Sequence, residues 1–423
     1  MEYIRKDLGS YNLHMIKTEK FKTITIKVVF HTPIIKENIT RRNILSDLLL
    51  QSSKNYPSKQ DLIIKAEDLY ACEISSNNQR LGNYILTSFN LQVLRDKYTE
   101  EGNVEKSFQF LSDIIFNPDC KNKSFKKNKL DIVKNNTKIA LSSIKENPTS
   151  YSAMRLLEEY DSNSPISYRM IGYKEDLDKV DINNLYEEYT HMINNDYIDI
   201  FVVGDYEYKE ILSLVKKYFK FKSVKKKKKT YFLKEHKPRS KKKVVVEKNN
   251  ANQSKLVIAC PINKLTTYER NYPFLLMNII LGGGVDSKLF KEVREENSLC
   301  YTIKSFYNRL DSILLITAGI DKDNYNKTVD LISKNLSDMK KGRFTTRDIE
   351  VSKEFCYTLL EELEEDEYRL ISEFLMREIL GLDSIIDQMK KISKVTKKEI
   401  IKAAKKSSID TIFLLEGELD EEN

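Results

Sequence analysis

One unit occurs twice in this chain. Val180-Asp181-Ile182-Asn183-Asn184-Leu185 opens a helix that leads to a strand from Ile198 to Gly204, and Val395-Thr396-Lys397-Lys398-Glu399-Ile400 opens another that leads to a strand from Ile409 to Gly417. The opening valine and the strand-ending glycine are 24 residues apart in the first copy and 22 in the second. Asp181 and Thr396 suit the N-cap, where a side-chain oxygen meets free helix amides. A repeat on this scale calls for two homologous halves and argues against an enzyme of two unlike domains. The length, 423 residues, fits two domains of about 200 residues each.

The halves are joined by a charged stretch. Residues 222–243 hold twelve Lys or Arg and one acid, a net of +11, so the rest of a chain with formal charge +8 carries −3. Lysines 225–229 and 241–243 bracket Pro238. A like-charged run repels itself and stays extended, so residues 222–243 read as a solvated linker between domains at 1–221 and 244–423, with a nucleic-acid or membrane patch as the alternative. The mildly acidic remainder gives no further reason to expect nucleic acid. No apolar stretch reaches the ~18 residues of a membrane span, and the start leads into no signal-peptide core, so the expectation is a cytoplasmic protein without a membrane partner. Cys72, Cys120, Cys260, Cys300 and Cys356 are scattered and odd in number, as reduced core thiols are.

Period and punctuation supply the elements. Residues from Phe21 to Phe30 alternate as a half-buried strand, and Ile44, Leu45, Leu48 and Leu49 form the apolar face of a helix from Ile39 to Gln51. A helix from Lys59 to Leu69 is expected to bury Leu62, Ile63, Ala66 and Leu69. Single helices are expected from Phe125 to Glu146, Thr267 to Leu281 and Thr346 to about Ile379, the last with Glu361 to Glu367 as a solvated face.

The densest signal is Leu281-Gly282-Gly283-Gly284-Val285-Asp286-Ser287-Lys288-Leu289-Phe290-Lys291-Glu292-Val293-Arg294, with Tyr301 seven residues after Arg294. Three glycines permit a sharp turn or a close approach. Leu289, Phe290 and Val293 recur at helical spacing, and Tyr301 opens a β-rich run whose hairpin partner is Ser312 to Gly319. Gly282-x-Gly284-x-x-Ser287 follows a helix and lacks the last glycine, so it is no dinucleotide fingerprint. Taken alone, Arg294 and Tyr301 are a solvated helix-end cation and a half-buried strand tyrosine.

In order and spacing this stretch resembles the C-terminal half of the pitrilysin (insulinase-type) metallopeptidases and the mitochondrial-type processing peptidases, and a looser resemblance spans nearly the whole chain. The resemblance implies an α+β fold of two homologous domains, each a mostly antiparallel sheet flanked by helices, arranged as a clamshell. It also implies that Arg294, Tyr301 and the loop Gly282, Gly283 and Gly284 bind substrate backbone, where two donors could stabilise an oxyanion.

The same resemblance predicts an inverted zinc motif, H-x-x-E-H, on the helix from Ile39 to Gln51. Its positions here are Asn43-Ile44-Leu45-Ser46-Asp47. Asparagine is a poor zinc ligand, serine cannot take a proton from metal-bound water at neutral pH, and Asp47 alone cannot hold the ion. The third ligand, a glutamate on a later helix, falls at Asn135 or Asn136. His14, His31, His191 and His236, the four histidines, include no helical pair, so no metal is expected on this chain. Asn43, Ser46 and Asp47 read as a solvated first-turn face or as a polar site facing a partner or peptide.

The resulting expectation is a subunit inactive alone, which pairs with a zinc-bearing homologue carrying H-x-x-E-H and supplies Arg294, Tyr301 and half of a peptide chamber. Two alternatives stay open: a peptide-binding or scaffold homologue outside any hydrolysis, and an autonomous peptidase with an unrecognised site.

Overall fold

The computed structural model describes residues 1–222 and 229–417. The thirteen strands among these residues are β1 (Glu2–Asp7), β2 (Asn12–Lys17), β3 (Thr23–Pro33), β4 (Glu73–Leu81), β5 (Tyr84–Leu94), β6 (Cys120–Lys121), β7 (Ser124–Phe125), β8 (Tyr197–Gly204), β9 (Lys243–Asn249), β10 (Ser254–Pro261), β11 (Cys300–Asn308), β12 (Ile313–Ile320) and β13 (Thr411–Gly417). One sheet runs β1-β2-β8-β3-β5-β4, the other β9-β13-β10-β12-β11, and β6 with β7 is a small hairpin. The class is α+β. In each large sheet a single parallel pair, β2 with β8 and β9 with β13, adjoins an otherwise antiparallel ladder. The five shared strands therefore match one for one, and β1 is an addition.

The helices repeat as well. After β4 and β5 come helices Asn103–Phe116, Lys127–Ser142 and Pro148–Tyr160; after β11 and β12 come Tyr325–Lys341, Thr346–Glu362 and Glu367–Leu380. Each series then reaches a capped helix and a closing strand. Asp181 accepts from Asn183 N and Asn184 N ahead of helix Ile182–Asn195, and Thr396 accepts from Glu399 N ahead of helix Lys397–Ala404. Both form a capping box, the reciprocal arrangement that satisfies two free donors at once.

Two compact units result, and they cross the boundaries read from the sequence. The first comprises Met1–Ser142, Arg169–Tyr231 and Leu363–Leu375; the second comprises Ser143–Tyr168, Phe232–Glu362 and the chain from Met376. Each half therefore contributes its third helix, wholly or in large part, to the other half's unit. In the second unit, Leu156 and Tyr160 of that helix cover Val257, Ala259, Phe413 and Leu415. The opposite face of the same sheet holds the main core, with Leu256, Ile258 and Ile412 against Phe274, Met277 and Ile280.

In the first unit, Ile24, Ile26, Val28 and Phe30 pack with Ile44, Leu45 and Leu48 of helix Lys36–Leu49. β3 was expected to be half-buried, but both of its faces are covered: Thr25, Lys27 and His31 are buried too. Its start is covered by Glu367, itself buried, which accepts from Thr23 Oγ1 at 2.8 Å, from Thr25 Oγ1 at 2.5 Å and from Gln92. Glu367 is thus no part of a solvated face, although Glu361 and Glu362 are exposed. The single helix expected from Thr346 to Ile379 breaks into Thr346–Glu362 and Glu367–Leu380, and Asp366 accepts from Arg369 N at the restart. The helix expected from Thr267 to Leu281 likewise breaks at Tyr272, ahead of Pro273.

On the covered face of the first sheet two of the four histidines, His14 and His31, are buried in one polar network. Tyr3 Oη, His14, Asp199, His31 and Tyr231 Oη form one chain of contacts: Oη to His14 Nδ1 at 2.8 Å, His14 Nε2 to Asp199 Oδ1 at 3.3 Å, Asp199 Oδ2 to His31 Nε2 at 3.0 Å, and His31 Nδ1 to Oη at 2.8 Å. Burial opposes ionisation of Asp199, but the hydrogen bonds from both imidazoles hold its carboxyl well below the usual range. Burial pushes the His31 pKa down.

Two further expectations change. Ile63 is exposed and Ala66 half-buried, because helix Lys59–Asp68 buries only Leu62. Residues 223–228 of the lysine-rich stretch lie outside the described residues; from Tyr231 onward it is solvated only in part, with Lys234, Lys237, Lys241 and Lys242 exposed. Tyr231 and Leu233 are buried, and Arg239 is ion-paired with Asp410. Cys72, Cys260, Cys300 and Cys356 are buried free thiols, and Cys120 is half-buried and free. Among the described residues no helix is long and apolar enough to cross a membrane.

Candidate functional site

Two places match the residues singled out in the sequence. The first is helix Lys36–Leu49, which follows β3 as helix Pro273–Gly282 follows β10 in the second unit. Asn43 donates through Nδ2 to Ile171 O at 3.3 Å, and Ser46 donates to Asn43 O at 2.9 Å. Asn78 of the edge strand β4 donates to Ser46 Oγ at 2.6 Å and accepts from Thr87 Oγ1 at 2.6 Å. Asp47 is exposed; desolvation of its carboxyl raises its pKa, opposed by Ser76 and Lys59.

The donor set does not fit zinc. Asn43 and Ser46 spend their polar atoms on each other's neighbourhood, leaving one carboxylate and no imidazole. Asn135 and Asn136 are exposed on helix Lys127–Ser142, which packs against the same helix. Among the described residues no group of three or more His, Cys, Asp or Glu is placed to hold a metal ion. Of the two readings of Asn43, Ser46 and Asp47, the solvated face fails for Ser46, which is buried.

The second place is the glycine loop. None of its three glycines adopts a positive φ, and two of them, Gly282 and Gly283, sit at close approaches. A Cβ on Gly282 would lie 2.7 Å from Ser305 Oγ and 2.9 Å from Ser305 N, so β11 runs directly against the end of helix Pro273–Gly282. A Cβ on Gly283 would lie 2.7 Å from Ile279 Cα, whereas one on Gly284 would meet nothing nearer than Phe355 Cε2 at 4.0 Å.

Beyond the loop the expected α-helix is wound as a π-helix over Phe290–Glu295. Such turns are rare and frequent at functional sites. Val293 faces the core, while Glu292 accepts from Lys288 at 2.7 Å, Lys334 at 3.2 Å and Asn335 at 3.2 Å, which pins the turn to helix Tyr325–Lys341. Burial works against the Glu292 carboxylate, but these lysine contacts prevail and lower its pKa. Arg294 is exposed, with its guanidinium 4.7 Å from the Phe290 ring centroid.

Tyr301 owes its position to a bulge. Cys300 pairs with Ile320 and Thr302 with Gly319, so Tyr301 is the extra residue of β11. A bulge re-aims side chains and twists the strand. Tyr301 is accordingly 60% exposed, where simple alternation would have half-buried it. β11 is an edge strand, as β4 is, and a free edge can pair with an extended peptide. Nothing in the sequence marks β4: its run Glu73-Ile74-Ser75-Ser76-Asn77-Asn78 is too polar to read as a strand by composition.

Comparison with known proteins gives consistent results. Residues 179–355 match the family model described as "Peptidase M16 inactive domain". The chain is 30% identical over 417 residues to the probable inactive metalloprotease YmfF of Bacillus subtilis (strain 168), covering 97% of this chain and 96% of the relative. It is 23% identical over 332 residues to the uncharacterized zinc protease YmxG of the same organism, covering 76% of this chain and 78% of that one. The crystal structure of a conserved protein from Enterococcus faecalis V583 superposes with a TM-score of 0.90 at 27% identity, covering 99% of this chain and 100% of that one.

Proposed function

This chain belongs to the M16 peptidase family as an inactive-type homologue, and on that premise we propose that it is the zinc-less subunit of a heterodimeric peptidase. In this reading a homologous partner carries H-x-x-E-H and the zinc, and this chain presents Arg294, Tyr301 and the loop at Gly282, Gly283 and Gly284 to the peptide. The observation that carries it is a contrast within one molecule. Where the first unit would need metal ligands it has Asn43 donating to the Ile171 carbonyl and Ser46 held between Asn43 O and Asn78, while the second unit keeps an exposed arginine and a phenol lifted out by a bulge. An arginine and a tyrosine can each donate to a peptide carbonyl, an interaction that gains strength as charge develops on that oxygen.

The test mixes this chain with a purified zinc-bearing homologue and measures association by light scattering and cleavage of a quenched fluorescent peptide. The expected result is a complex that cleaves, with kcat/KM lower by about 100-fold in Arg294→Ala, a loss of the size seen for single transition-state donors. Tyr301→Phe should also lose activity. Association with unchanged cleavage in both variants would leave only a scaffold role. Stoichiometric zinc in the lone chain, measured by atomic emission after dialysis, would overturn the proposal in favour of an autonomous enzyme.

A further inference from the structure

Beside the glycine loop, within the second unit, is a cavity of about 260 Å³. Ile279 and Ile280 line it from the helix before the loop; Gly284 and Val285 line it from the loop; and Val351 and Phe355 line it from helix Thr346–Glu362. An enclosed apolar space of ~150 Å³ already takes a benzene ring, so this one has room for a leucine- or phenylalanine-sized side chain. Its apolar walls are open to solvent: Val285 is 67% exposed and Phe355 39%.

The charges around it sum to zero, but they are not all paired. Four ionisable side chains line the cavity, namely Asp286, Lys291, Arg347 and Asp348. Asp348 is committed to the start of its own helix, accepting from Thr345 N at 2.7 Å and Thr345 Oγ1 at 2.9 Å. Lys291 and Asp286 face each other at 3.6 Å. Arg347 is exposed and has no acid within ion-pair distance among the described residues. The site therefore offers an apolar pocket with one unspent guanidinium at its mouth.

An extended peptide can match that pairing in one economical way. Successive side chains of a strand point to opposite faces, so an acid next in sequence to an apolar residue would be directed away from Arg347. The α-carboxylate of a C-terminal residue instead leaves the same Cα as its side chain. We propose that this cavity captures the C-terminal residue of a peptide, with its apolar side chain inside and its free carboxylate on Arg347. The inference rests on the peptide-binding reading of the same loop and adds a polarity to it: the peptide's end lies at Gly284, and the chain leads away from it.

The test is fluorescence anisotropy of the full-length protein with a fluorescein-labelled peptide Gly-Ala-Ser-Ala-Leu as free acid. The controls are its C-terminal amide, the version ending in Lys, and an amide ending in Leu-Asp. The free acid ending in Leu should bind at least tenfold more tightly than each control, and Arg347→Ala should erase the preference without weakening the amide. Val351→Trp, checked for an unchanged melting temperature, should weaken the Leu peptides and spare the Lys one; if it unfolds, Phe355→Ala replaces it with the same expected direction. Equal binding of all four peptides overturns the C-terminal site while leaving the peptide-binding reading intact. Preference for Leu-Asp amide overturns it in favour of side-chain recognition. Loss of every peptide in Arg294→Ala with the ranking lost in Arg347→Ala separates the two sites; no binding of any peptide overturns both readings.

Discussion

Replacing Gly282 by alanine tests whether the glycine loop exists for close packing or for turning. The new Cβ would stand 2.7 Å from Ser305 Oγ and 2.9 Å from Ser305 N. The hydroxyl cannot simply rotate away, because Ser305 Oγ is held by Asn278 Oδ1 at 2.8 Å and Asn278 O at 3.2 Å, and the amide belongs to the backbone of β11. Overpacking of a tight site costs about 1–3 kcal/mol. Gly282 closes a helix, where alanine would return about 0.5–1 kcal/mol. The net loss is then on the order of 1–2 kcal/mol, a fall in melting temperature of about 2–8 °C for a unit of this size. Gly284→Ala, with nothing nearer than 4.0 Å, should shift it by less than about 1 °C. Scanning calorimetry of the three proteins decides the matter. If Gly282→Ala melts with the parent, or Gly284→Ala is the more damaging of the two, the close-approach account is refuted.

Other outcomes follow from the buried polar contacts. Glu367→Ala leaves Thr23, Thr25 and Gln92 without their shared acceptor and should cost about 1–3 kcal/mol in urea unfolding; a loss below experimental error would contradict its role as the seal on β3. Because the His31 pKa is lowered in the fold, its contribution to stability is complete above the unfolded value near 6.5 and is lost as pH falls below it. The melting temperature should therefore drop between pH 7 and 5, and His31→Gln should flatten that slope; a parallel slope in the variant would exclude His31 as its source. Asp199 acts in the same direction over a lower range: its depressed pKa stabilises above about pH 4, and that contribution is lost only in stronger acid, so Asp199→Asn should lower stability at pH 7 and narrow its difference from the parent toward pH 2.

What could be read in the sequence was what is settled by neighbours along the chain. Asp181 and Thr396 cap helices because the amides they satisfy lie two or three residues ahead, and the repeat they mark is borne out by two sheets with the same strand order. The missing zinc chemistry at Asn43 and Ser46 needed no structure, since it is a matter of residue type. The three glycines stand out in sequence, but a turn and a close approach look alike there; for Gly282 the difference lies at Ser305, more than twenty residues on. Glu367 looked like one acid in a solvated run because its three donors sit in β3 and β5. His14 and His31 share Asp199, which no local spacing could announce. Tyr301 was singled out by its separation from Arg294, but its exposure depends on how β11 pairs with β12.

The crossing of the third helices bears on how such a chain can be divided. Cutting after residue 221 would strip the first sheet of the stretch Leu363–Leu375 and leave helix Pro148–Tyr160 without the strands it shields. Neither fragment would be a smaller version of the whole, because each would carry the other's lid.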